Sequence, residues 1–565
     1  MKGKPLPVGV DNFEKLISSD YYFVDKTLFI KELIDKKGDV NLFTRPRRFG
    51  KSLNMSMLRY FFEDGRTRDG EKVDYSHLFK KLDISGCGDK YLRHMGKYPV
   101  ISLTLKSAKK RVFNSAYTLL ARAIADEFDR HKYVFSDIRL KEKEERYLSI
   151  MNEKADQDNF CDSLRFLSEC LSIYHGHKAI ILINEYDVPL ESSHLNGYYD
   201  DMVDFIRSLF ESALKTNPHL EFAVLTGCLW ISKESIFTGM NNFEIVSILN
   251  KNYDEYFGFT DAEVEKLCSD YEILEKMETI RDWYNGYLFG NTSVYNPWSV
   301  ICYIKDLLAD INELPSSYWA NTSSNSIVRG LIDRADRNTK DEIEKLIAGE
   351  AIEKPVHEDI TYDEVYKNMD NLWNFMFFTG YFRKTGERMD DRYDLKYLTM
   401  EIPNREIRYI FRNKVLGWFD EQIQKRNQSR LFQAFLNLDA NAVREEIEDI
   451  LIQTISFYDA YESFYHGFLA GILYGIDGYI VKSNREGGTG RTDLFIKPVS
   501  RRKIAFVVEF KVAKDYRSLA KRAEEALVQI KQKTYVQELK DDGYESIVCY
   551  GIAFSGKDCE VRILK

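Results

Sequence analysis

The stretch DVNLFTRPRRFGKSLNMSMLRYFF, residues 39–62, decides the reading of the amino-terminal half. Its apolar run over 39–44 predicts a short strand, and Leu53 to Phe62 carries helical patterning. Between them lies a turn punctuated by Pro46 and Gly50. Strand, turn and helix form the setting in which backbone N–H groups at a helix N-terminus curl around phosphate oxygens. The turn holds the second half of the pattern GxxxxGK[ST]. Gly50 permits close approach, Lys51 reaches the terminal phosphates and the Ser52 hydroxyl faces Mg²⁺. Arg45 stands where the first glycine of that pattern belongs. The candidate nucleotide-binding loop therefore runs Arg47, Arg48, Phe49, Gly50, Lys51, Ser52 and Leu53, with the two arginines set to neutralise phosphate charge.

Working outward, further strand candidates are YPVISLTL (98–105), AIILIN (179–184) and EFAVLTG (221–227). Helical stretches such as NSAYTLLARAIADEFDRH (114–131) separate them, so a mainly parallel α/β sheet is expected. Nucleotide hydrolysis needs an acid at a strand end to hold Mg²⁺ and a base to orient water. AIILINEYDVPL offers Asn184, Glu185 and Asp187. The metal position is an amide, with one oxygen and no charge, so weaker Mg²⁺ binding and slow turnover are expected unless Asp187 substitutes. Thr226, at the end of EFAVLTG, is placed to sense phosphate or position water, or simply to cap its strand.

The carboxy-terminal part carries a second pattern. Asp493 in GRTDLFI and Glu509 with Lys511 in FVVEFKV give D-x15-E-x-K. Residues two apart share a strand face, so Glu509 and Lys511 point together while Phe510 turns into the core. Charges inside an apolar strand want a reason. Metal-dependent phosphodiester cleavage supplies one: carboxylates converging on Mg²⁺ or Mn²⁺, with a lysine at the attacking water. Glu462, on the preceding helix, is a candidate to complete a metal shell with Asp493 and Glu509, and His466 follows one turn later. Gln529 and Tyr535 fall on the predicted helix 516–538, beside Lys521, Arg522, Lys531 and Lys533.

Composition sets limits. A chain of 565 residues, 44% apolar and 30% charged, exceeds one ordinary core and calls for two or three domains. Its net charge of −9 argues against wholesale coating of nucleic acid, yet residues 480–535 carry fourteen Lys/Arg against six Asp/Glu, a local +8 that leaves −17 elsewhere. That segment is the expected phosphate-facing patch. No apolar run is long enough to span a bilayer and the amino terminus has no apolar leader, so a cytoplasmic protein without a membrane partner is expected. The eight cysteines are scattered without CxxC pairs, which suits reduced thiols. The expected division is an ATPase core at 1–250, a helical, acidic lid and connector at 251–440, and a nuclease-like domain at 441–565.

Taken in order, PVGVDNFEKLI, YYFVDKTLFIKELI, RPRRFGKSLN, INEYDVPL, LTGCLWISKESIFTGMNN, EYFGFTDAEV, WYNGYLFG, VYNPWSV, YWANTSSNSI, IPNREIR, YHGFL, GRTDLFI and VVEFKV cover nearly the whole chain. Together they resemble the bacterial AAA-ATPase-like proteins that carry a carboxy-terminal PD-(D/E)XK nuclease domain. The resemblance implies a P-loop NTPase sheet, a helical connector and a restriction-endonuclease-like α/β domain. It implies ATP binding at Arg47, Gly50, Lys51 and Ser52, and nuclease chemistry at Asp493, Glu509 and Lys511. That family usually has Asp where this chain has Asn184. The expected function is a nucleotide-gated, Mg²⁺- or Mn²⁺-dependent nuclease acting on DNA or RNA, by analogy in phage or mobile-element defence, with homo-oligomers left open. The alternative is a nucleotide-sensing switch whose nuclease-like domain only binds nucleic acid or a protein.

Overall fold

The computed structural model describes residues 3–230, 236–237, 239–319, 337–358, 369–392, 394–413, 429–454, 462–473, 478–487, 490–533 and 535–564. The chain divides into two units, Met1–Asn325 with Ala351–Ile410, and Ser326–Glu350 with Phe411–Lys565.

In the first unit the expected apolar runs become strands β1 (Val40–Thr44), β2 (Val100–Thr104), β3 (Ala179–Asn184) and β4 (Leu220–Gly227). A further strand, β5 (Phe243–Val246), joins them. All pairings are parallel, in the order β2-β3-β4-β1-β5. Every residue of β1 and β3 is buried, as strands covered on both faces require. Helices on the two faces include α1 (Lys51–Phe62), which follows β1 directly, and α2 (Val188–Asn196), opened by Pro189 in its first turn. The order puts β4 between β1 and β3, so the carboxyl ends of these three strands form one edge, where open α/β sheets bind ligands.

Residues 251–440, expected as helical, do contain helices, among them α3 (Pro297–Ala309). They also contain a hairpin of β6 (Tyr287–Phe289) and β7 (Thr292–Val294), and an antiparallel sheet of β8 (Ile352–Pro355), β9 (Arg383–Asp390) and β10 (Leu395–Glu401) in the order β8-β10-β9. Among the described residues no helix is long and apolar enough to cross a membrane.

The second unit holds a five-stranded sheet, β11 (Tyr479–Gly487), β12 (Gly490–Pro498), β13 (Ala505–Val512), β14 (Ile547–Ser555) and β15 (Asp558–Leu564), ordered as numbered. Only β13 and β14 run parallel, joined through α5 (Leu519–Gln532) and α6 (Tyr535–Asp541); α4 (Glu462–Leu473) precedes the sheet. The single long helix expected over 516–538 is thus two helices, and Tyr535 is buried in packing with Phe495, Val507 and Ile530 rather than facing a site. Strand alternation divides the core cleanly. Leu494, Ile496, Phe506, Val508 and Phe510 pack on the face of Tyr465 and Leu469, whereas Phe495, Ala505 and Val507 pack on the face of Ile530 and Leu539.

Candidate functional site

The loop from Thr44 to Lys51 closes on itself. Lys51, 5% exposed, donates from Nζ to the carbonyls of Arg45 and Pro46, each at 2.8 Å, and lies 3.7 Å from Cys228 Sγ. Arg48 (φ 72°) and Gly50 (φ 81°) take left-handed backbone, the first against a side chain's preference.

Arg45 explains the missing glycine. Its guanidinium is fully buried, with Nη1 donating to the Thr44 and Val246 carbonyls at 2.9 and 2.8 Å. Nη2 reaches the Tyr253 carbonyl at 3.3 Å. It lies over the rings of Phe257 and Phe289, 5.0 and 5.3 Å from their centroids, and burial pushes its pKa down to about 9. The side chain therefore ties the loop's first residue to the end of β5 instead of meeting phosphate. The next arginines are also engaged with protein: Arg47 is ion-paired with buried Glu191, and Arg48 lies 4.0 Å over the Trp298 ring. Phe49 is buried against Tyr287 and Phe289, and Leu53 is half-buried.

Ser52, in the first turn of α1, and the strand-end residues Asn184 and Thr226 form one chain of hydrogen bonds. Asn184 Nδ2 donates to Ser52 Oγ at 3.0 Å, and Thr226 Oγ1 donates to Asn184 Oδ1 at 2.8 Å. Glu185 follows in left-handed backbone, φ 56°, half-exposed. Asp187, 3% exposed, accepts the Cys228 and Leu229 N–H groups on Oδ2 at 2.7 and 3.3 Å, while its buried Oδ1 has no hydrogen-bond partner among the described residues. Burial raises its pKa to about 6, against the opposing pull of the Cys228 N–H and Lys51. A buried oxygen left open beside the loop lysine is a site for a cation or a water, so the residues fit a phosphate-bound Mg²⁺. Glu191 and Cys228 escaped sequence reasoning. Glu191 had a signal, since it stands four residues after Asp187 and so one helical turn away. Of the stretch after Thr226, residues 231–235 and 238 lie outside the described residues.

In the second unit the ladder between β12 and β13 stops at Leu494↔Val508. Asp493 and Glu509 stand immediately beyond, and their carboxylates take over the vacated N–H groups. Asp493 Oδ2 accepts the Phe510 N–H at 2.7 Å, and Glu509 Oε2 accepts the Asp493 N–H at 3.5 Å. Glu509, 2% exposed, also accepts from Gln529 Nε2 on α5, and Lys511 Nζ lies 3.7 Å from its Oε1. Four of the expected residues, Asp493, Glu509, Lys511 and Gln529, are thus brought together where two strands part. Glu462 and His466 belong to α4, but their side chains lie outside the described residues. Asp493 and Glu509 offer hard oxygen donors of the kind Mg²⁺ or Mn²⁺ takes; among the described residues no three His, Cys, Asp or Glu side chains gather as a metal cluster. On α5, Lys521 and Lys531 are exposed, whereas Arg522 is paired with Glu525 at 2.8 Å.

A closed phosphate loop on a parallel sheet and two carboxylates with a lysine at a strand fork define a P-loop NTPase-like unit joined to a nuclease-like unit. Comparison with known proteins agrees. Residues 7–237 match the family model described as Predicted AAA-ATPase, and residues 460–562 match that of the PD-(D/E)XK nuclease superfamily. The chain carries an AAA-ATPase-like domain followed by a PD-(D/E)XK nuclease superfamily domain. It is 25% identical over 98% of its length to 97% of a protein of Azotobacter chroococcum mcd 1 described as "Uncharacterized protein in vnfD 5'region". No solved structure matches.

Proposed function

We propose that the protein is a divalent-metal-dependent nuclease that cleaves phosphodiester bonds of DNA or RNA under the control of ATP bound at its amino-terminal loop. The observation that carries this reading is the convergence of Asp493, Glu509, Lys511 and Gln529 at the fork of β12 and β13. Asp493 and Glu509 would hold the metal; when bound, Mg²⁺ or Mn²⁺ supplies Lewis-acid polarisation of the phosphate and a more acidic water. The Phe510 N–H fixes the Asp493 carboxylate, and the Gln529 amide fixes that of Glu509. Lys511, on the same strand face as Glu509, orients the attacking water and opposes the charge that builds on phosphate oxygen.

At the amino-terminal loop, Lys51 and Ser52 would hold the terminal phosphates and their Mg²⁺, with Asp187 as the nearby carboxylate in place of Asn184. Both polar atoms of Asn184 are already committed to Ser52 and Thr226. That favours a module that binds ATP and turns it over slowly, and it is the observation behind a second reading, a switch that senses nucleotide without cutting. The deciding experiment is a cleavage panel on duplex DNA, single-stranded DNA and RNA. Each is run with Mg²⁺ or Mn²⁺ and with ATP, a non-hydrolysable analogue or no nucleotide, for wild type, Lys511→Ala and Lys51→Ala. Cleavage lost in Lys511→Ala with ATP binding intact supports the nuclease. Intact substrates throughout, with binding of partner or DNA lost only in Lys51→Ala, support the switch.

A further inference from the structure

Four consecutive residues of the phosphate loop are held from outside the five-stranded sheet, by side chains and backbone of residues 287–406. Pro46 abuts Gly380, where an added Cβ would lie 2.9 Å from the Pro46 Cβ and where φ is 94°. The Arg47 carbonyl accepts from Trp319 Nε1 at 3.3 Å, Arg48 lies over Trp298, and Phe49 is wedged against Tyr287 and Phe289. Trp319 is the centre of this grip. It is 1% exposed, and its ring packs edge-on against Tyr381 with 4.9 Å between centroids. Its backbone N–H donates to Glu406 Oε1 at 2.9 Å, and the Glu406 carboxyl, fully buried, also takes the Ser299 hydroxyl at 3.0 and 2.9 Å on its two oxygens. Among the described residues no cation pairs with Glu406; a carboxyl buried in that way needs a reason, and anchoring the residue that touches the loop is one. VYNPWSV, YWANTSSNSI and IPNREIR, scattered over more than a hundred residues of sequence, meet here through Trp298, Ser299, Trp319 and Glu406.

We propose that Trp319, fixed by Glu406, is a positioning residue for the nucleotide: it holds the Arg47 peptide so that the loop's N–H groups are preset for phosphate, and it reports loop occupancy. The inference rests on reading residues 45–52 as the ATP site. A preset loop loses less freedom when it closes on phosphate, so losing the grip weakens binding. Trp319→Phe keeps a ring against Tyr381 and removes the indole N–H; Glu406→Gln keeps the shape of the anchor and replaces its carboxyl with an amide.

The test is MgATP titration of the full chain by calorimetry and by tryptophan emission, for wild type and both variants, with thermal unfolding as the fold control. The expected result for Trp319→Phe is binding weakened about three- to tenfold, the size of one lost hydrogen bond, with unfolding little changed. The ATP-induced emission change of the wild type is expected to shrink in that variant to a minor remainder, and Glu406→Gln is expected to weaken binding in the same direction while keeping the emission change. Wild-type affinity in Trp319→Phe, or an emission change that survives in full, overturns the inference while leaving the ATP site standing. A wild-type protein that binds no MgATP overturns both.

Discussion

The two candidate sites handle polar groups in opposite ways. At the phosphate loop nearly every group is satisfied by a neighbour: Lys51 by loop carbonyls, Asn184 by Ser52 and Thr226, Arg47 by Glu191. At the fork of β12 and β13, two carboxylates and a lysine are drawn together because a ladder ends there, and the carboxylates serve as substitutes for backbone partners. The first arrangement has a neutral amide, Asn184, at its strand end and is gripped from outside; the second concentrates charge. A site of the first kind suits binding and sensing, since a ligand must displace existing bonds. A site of the second kind suits chemistry, since charge held in place costs no reorganisation when the transition state forms.

The largest expected effect breaks the comparison at its charged end. Lys511→Ala should lower metal-dependent cleavage by about 10³-fold without lowering the melting temperature appreciably. Cleavage at the wild-type rate would remove the fork from the chemistry. Next is Arg45→Gly, which restores the pattern's first glycine. Because it leaves the Val246 and Tyr253 carbonyls without their buried partner, it should destabilise the protein by about 3 kcal/mol in urea unfolding. A variant as stable as wild type would show that these buried hydrogen bonds add nothing net to folding.

The third prediction concerns pH. Burial raises Glu406 from 4.5 to about 7. Its ionised form is thus disfavoured by folding, so its stabilising effect is complete below about pH 4.5 and is lost as pH rises through about 7. Replacing it with Gln should therefore raise stability relative to wild type by on the order of 2 kcal/mol more at pH 8 than at pH 4.5, read from paired denaturation curves. Parallel curves would show that Glu406 does not titrate in this range. Smallest is Asn184→Asp, expected to raise ATP hydrolysis about tenfold by placing a charge on the metal position. No rise would show that the amide is not what limits turnover.

Much of the architecture is legible in residue order because local rules set it. The runs AIILIN and EFAVLTG are apolar enough that only buried strands suit them, and both strands fall within a residue of the expected bounds. Alternation in FVVEFKV places Glu509 with Lys511 and sends Phe510 to the other face, as the cores show. The hairpin and small sheet within 287–401 were not legible, because strands such as RKTGERMD are polar and half-exposed and carry no strong period.

By itself, then, the order of residues determined the elements and the chemical types at each strand end, since burial pattern, turn residues and two-residue strand period act over a few neighbours. What Arg45 does in place of glycine, which oxygen of Asp187 takes the Cys228 N–H and how Trp319 comes to hold the Arg47 peptide were decided only by tertiary structure. Their partners, Val246, Cys228 and Glu406, lie far away in the chain. Desolvation and hydrogen bonding act on whatever folding brings within a few ångströms, and residue order alone does not encode that distance.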